Sequence, residues 1–292
     1  MVQARAGVLA QAAYLGGAML GTPNLNGGMG HFLADREFAV LTGRDADGRL
    51  WTSPLVAELG FLEAFDRTLR IHTTFGPQSP LQGLEAGQPV GLLAIEFATR
   101  RRLRVNGTLT YAGVDGLEVS VDQAFGNCPK YIQQRDIERT ERPSATGSHI
   151  ARSGSLDAEQ IALVTRADTL FLGTVHRVRG ADASHRGGPP GFVRVEDGRL
   201  WWPDYVGNNM FNSFGNLAAD PSAALLFVDF DTGEALHLSG TAAVEWTAPH
   251  IGGDDGGVGR RTRFVVEAVA SGTSTGIHAG PPRPSPHNPL IT

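Results

Sequence analysis

The chain has 292 residues, 41% of them hydrophobic and 19% charged, which is enough for two globular domains of ordinary size. A net charge of −5 gives no electrostatic reason to expect nucleic acid or an anionic membrane as partner. One cysteine, Cys128, excludes an internal disulfide and a multi-cysteine metal site, and agrees with a reducing cytoplasm.

Residues 1–30 read as an N-terminal segment. The apolar run AGVLAQAAYLGGAML (6–20) is interrupted by Gln11 and followed by Asn24 and Asn26 in place of a small-residue cleavage site. It therefore reads as a helix rather than a signal peptide, and it is too short to span a membrane. A first unit, 31–139, starts with a short helical pattern at His31-Phe32-Leu33. Strands follow at Phe38 to Thr42 and Leu50 to Val56, joined by the turn Asp45-Ala46-Asp47-Gly48. Leu69 to Thr73 alternates as a half-buried strand does, and Ser79 to Gly87 reads as a short helix. Val90 to Phe97, Leu103 to Tyr111 and Leu117 to Val121 are further strands. Residues 140–155 read as a polar linker.

The second unit, 156–270, repeats this order. Asp157 caps a helix running to about Arg166. Strands are expected at Thr169 to Val175, Gly191 to Val195 and Leu200 to Pro203, then a helix at Met210 to Leu217. A hairpin follows at Ala223 to Phe230 and Ala235 to Val244, and a last strand at Arg263 to Val269. The Pro-rich stretch 271–292 reads as a poorly ordered or extended tail.

The order is repeated in the letters as well. IEFATRRRLRVNGT (95–108) and VDFDTGEALHLSGT (228–241) share aliphatic, acid, Phe, Thr, Leu and Gly-Thr at an offset of 133. Thr52-Ser53-Pro54 through Leu62 matches Ala183-Ser184-His185 through Val193 at an offset of 131. Two long copies in the same order indicate a duplicated domain rather than a solenoid. Short strands with closely spaced turns indicate small antiparallel barrels, and no GxGxxG or GxxxxGK[ST] motif is present.

The copies differ in charge. Arg102, Arg104 and Asn106 share one strand face in the first; Ala235, His237 and Ser239 stand there in the second. This predicts one working site per chain, with Arg102 and Arg104 reaching a ligand held mainly by the second half. Lys130 is the only Lys beside 24 Arg, so its ammonium is a candidate for reaching a phosphate or substrate. Cys128 is read either as a small buried hydrophobe or as a reactive thiol. No pair of histidines has HExxH or similar spacing, so no metal is expected.

Several segments carry a resemblance: GNCPKYIQQR (126–135), SHRGGPPGF (184–192), PDYVGNNMF (203–211), and Asp220-Pro221 before the hairpin ending at Gly240. Over roughly 30–245 the chain resembles the pyridoxamine-phosphate-oxidase-like FMN-binding split barrels, in a bacterial branch with two tandem barrels. The resemblance implies a mainly β chain whose two split barrels form a pseudo-dimer, with FMN as cofactor. It further implies an FMN-dependent oxidoreductase acting on a small molecule, fed by NAD(P)H or a separate reductase. Its implied FMN contacts are Ser184, His185, Arg186, Gly187, Gly188, Trp202, Pro203, Asp204, Asn208, Asn209 and Met210, joined by Arg102, Arg104 and Lys130. His185 is the candidate for proton transfer. Asn208-Asn209 stands where pyridoxamine phosphate oxidases usually carry an Arg-Lys pair, so their substrate is not carried over. Some relatives bind haem, for which one axial His suffices. A haem-binding protein or enzyme, or a non-catalytic flavin carrier, is therefore the alternative.

Overall fold

The computed structural model describes residues 2–8, 10, 21, 23–140, 150–248 and 257–289. The apolar run at 6–20 and the linker at 140–155 lie largely outside them. No helix among the described residues is long and apolar enough to cross a membrane.

Two large antiparallel sheets dominate the described residues. The first comprises β1 (Phe38–Arg44), β2 (Leu50–Val56), β3 (Leu62–Phe65), β4 (Thr68–Ile71), β5 (Pro89–Glu96), β6 (Arg101–Gly113) and β7 (Gly116–Gly126). Two short strands, β8 (Ile137–Arg139) and β9 (Ala151–Ser153), lie between the sheets in sequence. The second comprises β10 (Thr169–His176), β11 (Gly180–Gly187), β12 (Arg194–Glu196), β13 (Arg199–Pro203), β14 (Ser222–Val228), β15 (Glu234–Trp246) and β16 (Arg260–Ser274). The first runs 2-1-5-6-7-4-3 and the second 11-10-14-15-16-13-12, which is one topology used twice. Each wraps its own apolar core, and β9 adds to the edge of β16. The architecture is the expected pair of split barrels.

Register confirms the duplication residue by residue. Val90 pairs with Gly107 as Ala223 pairs with Gly240. Thr42 pairs with Thr52 as Gly173 pairs with Ala183. The repeated Gly marks a β-bulge: the register shifts at Asn106/Gly107 and at Ser239/Gly240. A Cβ there would overlap the carbonyl oxygen of Ser120 or Val265 on the neighbouring strand. The repeated acid anchors each hairpin to a preceding arginine, Arg36–Glu96 and Arg166–Asp229. The bulge turns a flat hairpin into a curled one, which an apolar-lined barrel requires.

The barrels face each other across a pseudo-two-fold axis. The repeat's Phe97 and Phe230 meet edge to face at 5.5 Å, each equivalent residue touching the other. Gly173 packs on Thr42, its own counterpart, so closely that a Cβ would strike the Thr42 and Thr52 side chains. A third apolar cluster, with Phe38, Val40, Leu93, Phe171, Leu226 and Val228, fills the space between the barrels.

The structure departs from the sequence expectations in four places. Ser79 to Gly87 forms turns, not a helix, with Ser79 bonding Leu81 N through its hydroxyl. The strand expected at Gly191 to Val195 is only Arg194–Glu196, and Gly180–Gly187 is a full strand buried at the barrel interface. Leu62–Phe65 adds a strand. The tail is ordered through Pro289: β16 runs on to Ser274, and β17 (Ile277–Ala279) pairs with β8. The capped helix is as expected, Ala158–Arg166 with a reciprocal Asp157–Gln160 capping box.

One consequence concerns acid stability. His237 is fully buried, and its Nδ1 donates to the Thr52 carbonyl at 2.9 Å. Burial, only partly offset by that bond, pulls its pKa down to about 4 from 6.5. The unfolded chain therefore binds the proton more tightly. His237 contributes its full stability above pH 6.5 and loses it as pH falls toward 4. Near pH 5 the loss is about 2 kcal/mol. Urea unfolding of His237→Gln should show a clearly shallower stability decline between about pH 7 and 5 than the parent chain; equal slopes would refute this.

Candidate functional site

A cleft between the barrels gathers most of the expected residues. Arg102, Arg104, Lys130, His185, Arg186, Gly187, Trp202, Pro203, Asp204, Asn208, Asn209 and Met210 all line it. Its cavity volume is about 110 Å³. The first barrel supplies β6 and the segment Asn127 to Tyr131. The second supplies β11, the end of β13, and the loop into the helix Asn212–Ala219.

Strand alternation on β11 distributes the roles. Asp182, Ser184 and Arg186 share one face; His185 is on the other. Asp182 is buried and accepts from Arg104 Nη1 at 2.9 and 3.2 Å and from Asn106 Nδ2 at 3.1 Å. This inter-barrel ion pair holds the first barrel's arginine at the second barrel's cleft. Ser184 is buried behind the cleft, bonded to Ser213 Oγ at 3.2 Å and to the Leu172 carbonyl. The pair has a counterpart across the pseudo-axis, Ser53 with Ser79 at 3.0 Å.

The charge balance is uneven. Arg104 has Asp182, and Arg260 has Asp204 at 2.9 Å. Among the described residues no carboxylate forms an ion pair with Arg102 or Arg186. Burial, and then neighbouring guanidiniums, pull Arg102 down to about 9 and Arg186 to about 10, so both remain charged at neutral pH. Arg102 Nε and Asn127 Oδ1 are buried without a partner. Arg102 and Arg186 are half-buried at the cleft, and of the two Arg186 also feels the charges of Asp204 and Asp182; the guanidiniums give the cleft donors suited to an anion.

Arg102 also organises its surroundings. Its Nη2 donates to the Cys128 carbonyl at 2.7 Å and its Nη1 to His185 Nδ1 at 2.9 Å. The His185 proton is therefore on Nε2. That nitrogen is buried without a hydrogen-bond partner, and the ring lies edge-on to Phe97 and Phe171 at 6.3 and 6.0 Å. Burial and then Arg102 hold the imidazole well below its usual pKa, hence neutral. A ring enclosed in this way positions Arg102; proton transfer to a ligand is not supported by its geometry.

The two glycines after Arg186 have packing reasons. A Cβ on Gly187 would overlap the Tyr131 carbonyl oxygen, and one on Gly188 would press into the Phe192 ring at 2.6 Å. Gly188 and Ser184 are the two expected contacts outside the cleft lining. Asn208 does not cap the following helix: its Oδ1 accepts from Met210 N at 3.2 Å, closing a turn, and Phe211 occupies the N-cap without a side-chain bond. Asn209 and Phe211 have positive φ, 59° and 54°, the second a strained value for a bulky residue. Phe211 is held by stacking on Phe214 at 5.6 Å and by Arg260 above its ring.

Trp202 is the inward member of its pair, and Trp201 lies between Arg194 and Arg261. Sequence reasoning placed Tyr205 beside the ring system with Trp202, Pro203 and Asp204, and did not single out Asp182, Asn127 or Tyr131. Tyr131 reaches across the cleft, its hydroxyl donating to the Val206 carbonyl at 2.9 Å and its ring 5.1 Å from that of Tyr205. Burial and then Asp204 push that hydroxyl up to about 12, so it stays a donor.

The counterpart position in the first barrel is built differently. Pro54 and Leu55 stand where His185 and Arg186 do, and Ala235 and His237 where Arg102 and Arg104 do. Among the described residues no group of three or more His, Cys, Asp or Glu side chains forms a metal site.

Residues 156–251 match the family model described as pyridoxamine 5'-phosphate oxidase. No curated protein matches the chain. Among solved structures, a putative pyridoxamine 5'-phosphate oxidase from Lactobacillus delbrueckii is 17% identical over 40% of this chain and 94% of its own, TM-score 0.32. HupZ from Group A Streptococcus is 15% identical over 43% and 99%, TM-score 0.32. HutZ from Vibrio cholerae, described as a haem storage protein, is 13% identical over 41% and 97%, TM-score 0.32.

Proposed function

We propose that this chain, which belongs through its second barrel to the pyridoxamine 5'-phosphate oxidase-like superfamily, is an FMN-dependent oxidoreductase with one flavin site per chain. The observation that carries the reading is the pair of cleft guanidiniums, Arg102 and Arg186, which among the described residues form no direct ion pair, Arg186 feeling Asp204 and Asp182 only at longer range. A phosphate monoester carries about −1.5 to −2 charge at neutral pH and supplies what they lack. Arg186 and Lys130 would meet the phosphate; Arg102 would add its charge from behind while holding Cys128 and His185. Trp202, Pro203, Asp204 and Tyr205 would border the ring system, with Asn208, Asn209 and Met210 closing the far side. The bound flavin supplies hydride transfer; the chain supplies orientation, charge and exclusion of water. The substrate is a small molecule, and electrons come from a reduced nicotinamide or a separate reductase in the cytoplasm.

One observation weighs against haem. The cleft's histidine, His185, has Nδ1 engaged by Arg102, Nε2 buried without a hydrogen-bond partner, and its ring edge-on to Phe97 and Phe171. Ligating iron would break this arrangement.

The test is the absorption spectrum of purified protein, with mass spectrometry of the released cofactor, followed by FMN titration of cofactor-free protein. Flavin bands and saturation at one FMN per chain are expected. A Soret band without flavin bands, or no FMN uptake, would sink the reading. Anaerobic bleaching by NADPH would separate enzyme from carrier.

A further inference from the structure

The C-terminal stretch is Pro-rich and polar, yet it is joined to the wall of the cleft. Gln133 and Asn288 form a reciprocal amide pair, each side-chain NH₂ donating to the other's oxygen at 3.0 Å. Gln133 is buried. Its Oε1 also accepts from Ser285 N at 2.8 Å, and its Nε2 also donates to the Tyr131 carbonyl at 3.1 Å. Gln134 and Arg283 exchange both backbone bonds, at 3.0 and 2.7 Å. Arg100 ties the same two segments, donating to the Ile132 carbonyl at 3.0 Å and to the Arg283 and Pro284 carbonyls at 3.3 and 3.2 Å.

Tyr131 is where this network meets the cleft. Its carbonyl is bonded by Gln133 and packed on Gly187, and its hydroxyl holds Val206 across the opening. The segment Asn127 to Tyr131 has no regular secondary structure to hold it. Its position depends on Arg102 in front and on the Gln133–Asn288 pair behind.

We propose that residues 283–288 are a positioning strap for the cleft, and that Asn288 and Gln133 are positioning residues which set Tyr131 and the first barrel's contribution to ligand binding. The part concerning affinity rests on the cleft being the flavin site; the mechanical part does not. Hydrogen exchange carries the test, in the full-length chain without cofactor. Asn288→Ala should speed exchange of the backbone amides from Asn127 to Gln134 about five- to tenfold, the size of one buried hydrogen-bond pair. Amides of the β14–β15 hairpin should not change. Asn288→Asp, which sets a carboxylate oxygen against Gln133 Oε1, should do more. FMN added to the parent chain should slow exchange at Gln134 and Arg283, because coupling is reciprocal. FMN affinity should fall about fivefold in Asn288→Ala. Unchanged exchange at 127–134, or acceleration shared equally by the hairpin, overturns the strap. Local acceleration in a chain that takes up no FMN sustains the strap and removes the flavin reading instead.

Discussion

Asp182→Ala will lower the stability of the chain by about 3–5 kcal/mol, the cost of leaving a buried charge without its partner. Asp182 accepts three bonds from Arg104 and Asn106, and Ser213 Oγ lies 3.5 Å away. Removing the carboxylate leaves Arg104 enclosed beside Arg102 and Arg186 with nothing to balance it. The loss is in the interface rather than in either barrel core, because Asp182 is on β11 and Arg104 on β6. Urea unfolding measures it. The control is the double variant Asp182→Leu with Arg104→Leu, which removes both charges and should recover most of the loss. If Asp182→Ala alone unfolds within about 1 kcal/mol of the parent, the ion pair is not a joint between the barrels.

Most of the architecture was legible because β5 and β14 are short apolar runs, each followed by its hairpin partner, β6 or β15, and because these hairpins carry the repeat. The strand β11 was not, and the reason is physical. Asp182 and His185 are buried polar residues satisfied from the other barrel, by Arg104 and Arg102, and the buried Ser184 is satisfied by Ser213 and the Leu172 carbonyl. A periodicity argument assigns burial to apolar residues and reads such a stretch as a loop. The strap was missed for a similar reason: amide pairs and carbonyl bonds order it, whereas composition predicts order from apolar burial. In the cleft, the diverged repeat drew attention to Arg102 and Arg104, the lone lysine to Lys130, and the resemblance to Arg186 and 203–211, and the structure brings them together. It gives them specific protein neighbours as well: Gly187 and Gly188 pack closely on Tyr131 and Phe192, and the His185 ring lies edge-on to Phe171. Asp182 had one available signal, an acid two residues from Ser184 and four from Arg186 on what proves to be one strand face.

Arg186→Ala will weaken FMN binding about 100-fold, equivalent to about 2.7 kcal/mol, in a fluorescence-quenching titration at moderate salt. Three features single out this residue. It lines the cleft, it forms no direct ion pair with a carboxylate among the described residues, and its Nη1 donates to the adjacent His185 carbonyl at 3.1 Å. Arg102 is already spent on Cys128 and His185, so its removal would confound ligand loss with local collapse. Arg104 is neutralised by Asp182. Arg186→Lys keeps the charge and loses the planar fork, so a loss nearer tenfold is expected. Both deficits should shrink as salt rises, since part of the attraction is screened. Riboflavin, which lacks the phosphate, should bind the parent weakly and be nearly indifferent to Arg186→Ala. Equal losses for riboflavin and FMN would place the guanidinium against the ring system instead of the phosphate. Unchanged FMN affinity would move the anion to Lys130 and the Asn208 turn, and would take from Arg186 the role given to it here.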